Sequence, residues 1–144
     1  MSQTIIYTDG SSRGNPGPGG WAAILIRDDS VKEIGGREVH TTNNRMEMMA
    51  VISAIREIKI GEPATINTDS SYVLKGSTEW LGGWKRNNWK TSQKKDVENQ
   101  DLWQEMDSEV VKHQIEWVWV KGHAGNHFNE IVDELARSAA EKNR

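Results

Sequence analysis

The apolar period of this chain changes once, near residue 42, and that change limits the folds open to it. Before it, residues 4–9 (TIIYTD), 21–27 (WAAILIR) and 31–40 (VKEIGGREVH) are short and rich in β-branched residues, the pattern of strands. A turn near Asp28-Asp29-Ser30 joins the last two, so the segments read as an antiparallel three-stranded meander. The Gly- and Pro-dense stretch over 10–20 (GSSRGNPGPGG) reads as a loop. After residue 42, Met48, Val51, Ile52, Ile55 and Ile58 recur at helical spacing, which predicts one apolar stripe on a helix over 43–59. Thr42 or Asn43 caps it, and Gly61-Glu62-Pro63 ends it. A strand follows at 64–68 (ATINT), then a helix capped within Asp69-Ser70-Ser71, a helix over 100–112, a strand over 115–120 (IEWVWV) and a two-glycine loop over 121–126. The last helix, 127–141, has Phe128, Ile131, Val132, Leu135 and Ala139 as its predicted core stripe. The order βββαβα(α)αβα gives a mixed α/β (α+β) sheet covered by helices, and its strand–helix–strand part favours parallel pairing.

With 144 residues, one domain over 1–144 is expected. The absence of cysteine excludes disulfide scaffolds, zinc–thiolate sites, iron–sulfur clusters and thiol nucleophiles. At 35% hydrophobic and 27% charged residues, the balance is that of a globular protein. No apolar run approaches the ~20 residues that span a bilayer. The start, MSQTIIYTDG, has neither a charged leader nor an apolar core, so a cytoplasmic protein is expected. Nothing in the sequence demands an oligomer, so the expectation is a monomer that makes no membrane contact.

Net charge is −3, but its distribution is uneven. Residues 84–95 (WKRNNWKTSQKK) carry five positive charges and no negative one, whereas residues 96–109 carry six negative and no positive. This segregation predicts one positive and one negative surface. Trp80, Trp84 and Trp89 lie in or beside the basic stretch, and basic groups interleaved with aromatics suit nucleic acid. The plainer alternative is a solvated helix–loop whose tryptophans are partly core.

Among the acids, Asp9 and Asp69 each follow a threonine at a predicted strand end and precede small residues, while Glu47 and Asp133 lie in early turns of helices. In sheets with parallel strands, sites form beyond the carboxyl ends of strands, so these four can converge. Converging carboxylates repel unless a cation sits among them, and hard oxygen ligands suit Mg²⁺ or Mn²⁺. Four are enough for two ions. Turn formation for the two aspartates and helix-dipole placement for Glu47 and Asp133 account for the same residues without a metal.

The segments YTDGSSRGNPGPGGW, TTNNRMEMMA, NTDSSYV and VKGHAGNHFNEIVDELAR, in this order, resemble the signature segments of ribonuclease H of the bacterial type (ribonuclease HI, type 1). WLGGWKRNNWKT and ENQDLW resemble that family's basic protrusion and following helix, so the likeness spans residues 4–141. It implies a ribonuclease H-like fold, a five-stranded mixed sheet with an antiparallel meander plus parallel strands. The implied enzyme is an endonuclease, a phosphodiester hydrolase that cuts the RNA strand of RNA–DNA hybrids with Mg²⁺ and leaves 5′-phosphate and 3′-hydroxyl ends. By position, Asp9, Glu47, Asp69 and Asp133 are the implied metal ligands, with two ions bound beside substrate and Asp9 bridging them. His123 is the implied catalytic histidine, and Glu130 lies near it. Asn15, Asn43 and Asn44 match hybrid contacts in the minor groove, where 2′-hydroxyls are read. Thr42 and Asn99 match a pocket for a DNA phosphate, and Trp80, Trp84, Lys85 and Arg86 match the DNA-side channel and protrusion.

The chain departs from that pattern at His40, where some relatives carry Arg, and at Asn87 and Asn88, in a protrusion that is more basic in some members. Weaker substrate binding is therefore expected, and low processivity, because 144 residues leave no room for the hybrid-binding domain of eukaryotic members. Two other readings stand beside the ribonuclease: a polynucleotidyl transferase, resolvase or exonuclease on the same carboxylates, and a hybrid reader without catalysis.

Overall fold

A computed structural model describes residues 3–28, 30–120 and 126–141. Five strands form one sheet: β1 (Thr4–Ser12), β2 (Gly17–Arg27), β3 (Ser30–Thr41), β4 (Pro63–Thr68) and β5 (Gln114–Trp119), in the order β3-β2-β1-β4-β5. β1 pairs with β2 and β2 with β3 antiparallel, while β1–β4 and β4–β5 are parallel. The helices are α1 (Asn43–Ile55), α2 (Ser71–Lys75), α3 (Leu81–Arg86), α4 (Gln100–Val110) and α5 (His127–Glu141), with one π-helical turn, Gly76–Trp80, between α2 and α3. The expected mixed sheet, meander and parallel strands are all present. Among the described residues no helix is long and apolar enough to cross a membrane.

Helices cover the sheet on both faces because β1 and β2 alternate apolar residues to both sides. Ile6, Ala23 and Leu25 pack with Met48, Val51, Ile52 and Ile55 of α1, and with Ile66, Trp103 and Met106. On the other face, Ala22 and Ile24 pack with Val132 and Ala136 of α5, joined by Tyr7, Phe128 and Leu135.

Several boundaries differ from the sequence reading. Residues 10–20 are not one loop: β1 runs on to Ser12 and β2 begins at Gly17, with Gly10 opposite Trp21 and Ser12 opposite Gly19. The glycines there admit helices close to the sheet rather than breaking strands. α1 ends at Ile55, not 59, because the chain tightens to i→i−3 bonds: Glu57 N–H donates to Ala54 O (3.0 Å) and Ile58 N–H to Ile55 O (3.2 Å). Ile58 stays buried all the same. α4 stops at Val110 for the same reason, with Lys112 N–H donating to Glu109 O (3.2 Å). α1 has more than a single apolar stripe, since Met46, Ala50 and Ala54 are buried as well. On α5 the innermost residues are Asn129, Val132, Ala136 and Ala140, and the larger Phe128, Ile131 and Leu135 flank them.

That shift on α5 follows from close approach. A Cβ on Gly20 would lie 2.5 Å from both the Ala139 Cβ and the Ala140 N, so only bare backbone fits beneath the helix. Gly20→Ala is expected to destabilise the protein by about 1–3 kcal/mol through overpacking. Urea unfolding of the two proteins checks it, with an unchanged midpoint counting against this packing.

Candidate active site

Asp9 sits within β1, not at its end, and is 4% exposed. Its neighbour Gly10 permits the site: a Cβ there would lie 2.3 Å from the Glu47 main-chain N, so α1 lies directly on the strand. Glu47 is thereby brought against Asp9 and is 6% exposed. Asp69 follows β4 directly, and parallel register places Thr8 beside Thr68, so Asp9 and Asp69 leave adjacent strands at the same level. One carboxylate oxygen from each of Asp9, Glu47 and Asp69 lies within 4.8 Å of the other two. Asp133, from α5, lies near enough to Asp9 to help raise its pKa. The Asp133 Oδ2 accepts from Arg137 Nε at 3.1 Å, one turn along the helix. Of the four acids singled out in the sequence, Asp9, Glu47 and Asp69 form a tight group, and Asp133 lies near Asp9 outside that group.

Burial pushes the Asp9 carboxyl up to about 8, and the charge of Asp69 and the nearby Asp133 push the same way. Hydrogen bonds from Glu47 and from Gly10 N–H (2.9 Å) oppose the rise. Glu47 is held well above the carboxylate range, first by burial and then by the charge of Asp9. Its Oε1 is buried with no hydrogen-bond partner among the described residues. Buried acids that must carry protons to coexist, and an orphaned carboxylate oxygen, are what a hard cation would relieve. The donor set, all carboxylate, fits such an ion.

Several of the implied substrate contacts are joined by hydrogen bonds at the start of α1. Thr42 caps α1, its Oγ1 accepting from Arg45 N–H at 3.2 Å. Asn15 Oδ1 accepts from Asn43 N–H and Asn43 Oδ1 from Ser12 N–H, each at 3.1 Å. These bonds use both amide oxygens and leave the NH₂ groups for other partners. Asn44 is half-buried in the first turn of α1. His40 is exposed on β3. Asn99 stands at the start of α4 in the left-handed region (φ 58°). Glu130 is exposed in the first turn of α5. His123 and the loop around it, 121–125, fall outside the described residues.

The tryptophans are partly core, as the plainer reading has it. Trp84 packs on the fully buried Trp103 (centroids 5.4 Å apart) and on Trp80 (5.8 Å), whose exposure is 37%. The charge segregation of the sequence is partly undone in space, a correction to the expected separate surfaces. Lys85 pairs with Asp107 (3.1 Å) and Lys90 with Asp96, so the acidic stretch folds back on the basic one. Arg86 is exposed and makes no ion pair among the described residues. Sequence reading missed Arg45, Tyr72 and Asp101, which form one network with Asn99. Only the NNRME segment hinted at Arg45, because Asp101 lies 56 residues away in sequence.

A family model described as RNase H matches residues 1–141. The chain belongs to the ribonuclease H family. Among its relatives, Ribonuclease H of Marinobacter nauticus is 55% identical over 93% of this chain and 91% of that protein. Ribonuclease HI of Pseudomonas aeruginosa is 51% identical over 96% of this chain and 95% of that one. A solved structure of LC9-RNase H1, described as a type 1 RNase H with the type 2 active-site motif, aligns with TM-score 0.89 at 33% identity. It covers all (100%) of this chain and 74% of that one. The five-stranded mixed sheet is thus the ribonuclease H fold, and this is a bacterial-type ribonuclease H whose family is metal-dependent.

Because Asp9 and Glu47 bind protons more tightly folded than unfolded, protons favour the native state. Without divalent ions, the contribution of this pair to stability is fully present below about pH 4 and is lost as pH rises toward the Asp9 value of about 8, whereas the lowered carboxyls of Glu62, Asp101 and Glu109 contribute in the opposite sense. At pH 8 in EDTA, Asp9→Asn is expected to unfold above the wild type, by on the order of 1–3 kcal/mol. Mg²⁺ should then raise the wild-type midpoint and not that of the variant. Equal metal-free midpoints at pH 8, measured calorimetrically, would contradict the electrostatic reading.

Proposed function

We propose that this chain is a single catalytic domain over 1–144 that cuts the RNA strand of RNA–DNA hybrids, leaving 5′-phosphate and 3′-hydroxyl ends. The observation that carries this reading is the group of buried Asp9 and Glu47 with half-buried Asp69, one oxygen from each lying within 4.8 Å of the others, with Asp133 beside Asp9. Relatives above 50% identity that bear the ribonuclease H name support it. We assign Asp9, Glu47, Asp69 and Asp133 as ligands of two Mg²⁺ ions, with Mn²⁺ as a substitute. When bound, the ions supply an acidified water for attack on phosphorus and charge neutralisation at the departing 3′ oxygen.

The protein's share is to hold these ligands where water is largely excluded and to present the scissile phosphate. Asp9, which feels each of Glu47, Asp69 and Asp133, would be the central ligand of the set. The close packing of α1 on Gly10 fixes the Glu47 backbone beside Asp9, and the buried Oε1, without a hydrogen-bond partner among the described residues, is left for an ion. His123, assigned by resemblance, moves a proton at the departing oxygen with a ring suited to neutral pH. Asn15, Asn43 and Asn44 present amide groups to the minor groove, where the 2′-hydroxyl of the cut strand is read. Thr42 and Asn99 take a phosphate of the uncut strand. Trp80 and Trp84 offer aromatic surface to it, and Lys85 and Arg86 offer charge. Since Lys85 is already paired with Asp107, Arg86 supplies more of the free charge there. This fits the weaker substrate binding expected from His40, Asn87 and Asn88. We place the enzyme in the cytoplasm as a monomer.

The test uses labelled RNA–DNA hybrid, duplex DNA and duplex RNA, each with Mg²⁺ or with EDTA, beside Asp9→Asn. The expected result is cutting of the hybrid alone, only with metal. In the variant, cutting is expected to fall by about 10³-fold or more, on the order of 4 kcal/mol of barrier. Cutting of duplex DNA would select a polynucleotidyl transferase or resolvase, and binding without any cutting a hybrid reader.

A further inference from the structure

Asn99 is unusually constrained for a polar residue at a helix start. It is the N-cap of α4 but makes no side-chain cap, because its amide is committed elsewhere. Its Oδ1 accepts from Arg45 Nη1 at 3.2 Å, and its Nδ2 donates to the Tyr72 hydroxyl at 3.1 Å. Tyr72 is anchored in turn, since Trp103 Nε1 donates to the same hydroxyl at 3.0 Å and Trp103 is fully buried. The guanidinium of Arg45 is aimed by Asp101, whose carboxylate takes both Nη1 (2.9 Å) and Nη2 (2.8 Å) in a two-pronged pair.

These contacts impose a polarity. An amide can present its carbonyl or its NH₂ in either direction, and the two ends differ little in shape. Here the guanidinium has only donors, so the Asn99 carbonyl must face it; the flipped amide would set N–H against N–H. The second Nδ2 hydrogen has no acceptor among the described residues. Thr42 is treated alike by the same residue: its Oγ1 accepts from the Arg45 main-chain N–H, leaving the hydroxyl proton to donate. Arg45 thus engages the oxygen of both neighbours and turns the Asn99 carbonyl toward itself, which leaves an amide N–H and a hydroxyl O–H to donate. Such donors suit a group that only accepts, such as a phosphodiester oxygen.

We propose that Arg45 is a positioning residue, locked by Asp101, that sets the Asn99 amide so that its N–H, beside the Thr42 hydroxyl, donates to a DNA-strand phosphate. This rests on the hybrid-cutting reading given above. Lysine cannot stand in, because a point-like ammonium cannot hold the fork to Asp101 and meet the Asn99 carbonyl together.

The experiment is steady-state cleavage of an RNA–DNA hybrid, at fixed Mg²⁺ and ionic strength, by wild type, Arg45→Ala, Arg45→Lys, Asn99→Ala and Arg45→Ala/Asn99→Ala. The thermal midpoint of each is recorded. Arg45→Ala is expected to raise KM about three- to tenfold with kcat within about twofold, the scale of one hydrogen bond to a charged group. Arg45→Lys should recover less than half of that loss on a logarithmic scale. In the Asn99→Ala background, removing Arg45 should change KM by less than about twofold, as coupled residues do. The proposal is overturned if the loss persists undiminished in that background, if lysine restores KM, or if the midpoint falls while KM stays unchanged. A wild type that leaves the hybrid uncut overturns the functional reading and this inference together, whereas one that cuts it, with KM insensitive to Arg45, overturns this inference alone.

Discussion

Mutual repulsion among buried carboxylates is the constraint around which the rest of the molecule is arranged. Asp9 and Glu47 are almost without solvent, and the ionised forms of the two disfavour each other. A fold does not gain stability from such a group unless something compensates it. The backbone forces the acids together instead: bare Gly10 lets α1 lie on β1, and parallel register sets β4 level with β1. The rest of the sheet and both cores hold that arrangement against its own electrostatics. The energy stored there is what a cation releases on entering.

Much of this was legible in the amino-acid order because the signals were local. The change of period near residue 42 separated meander from helix, and the threonine–aspartate steps at Asp9 and Asp69 marked positions level with each other on adjacent strands. The extent of β1 and β2 was not legible. Glycine and proline between 10 and 20 speak for a turn in isolation, and only the helix above Gly10 and the one below Gly20 explain them as clearance within strands. The ends of α1 and α4 escaped for a related reason. Ile58 looks helical by spacing and is buried, but it reaches the core from a tightened turn.

At the site's edge, residue types were readable and their partnerships were not. Lys85 and Lys90 counted as free charge in the sequence, yet each meets an acid from the following stretch. Asn99 was visible only through the resemblance, and its amide is governed by Arg45 and Tyr72, from segments 54 and 27 residues away. Such long-range pairings depend on how α1, α2 and α4 stack, which no window of sequence contains. Trp84 shows the same duality, since one side of its ring belongs to the core and the other lies beside the exposed Trp80.

The seating of α5 has a consequence for how the four acids behave as a set. Asp9 and Glu47 lie on β1 and α1, and Asp69 directly follows β4, three elements that share one core, whereas Asp133 rides on a helix packed against the opposite face. That helix is keyed in place by Val132 and Ala136, flanked by Phe128, Ile131 and Leu135, and seated closely because Gly20 has no side chain. All four acids therefore share one neighbourhood only when the packing on both faces of the sheet is complete.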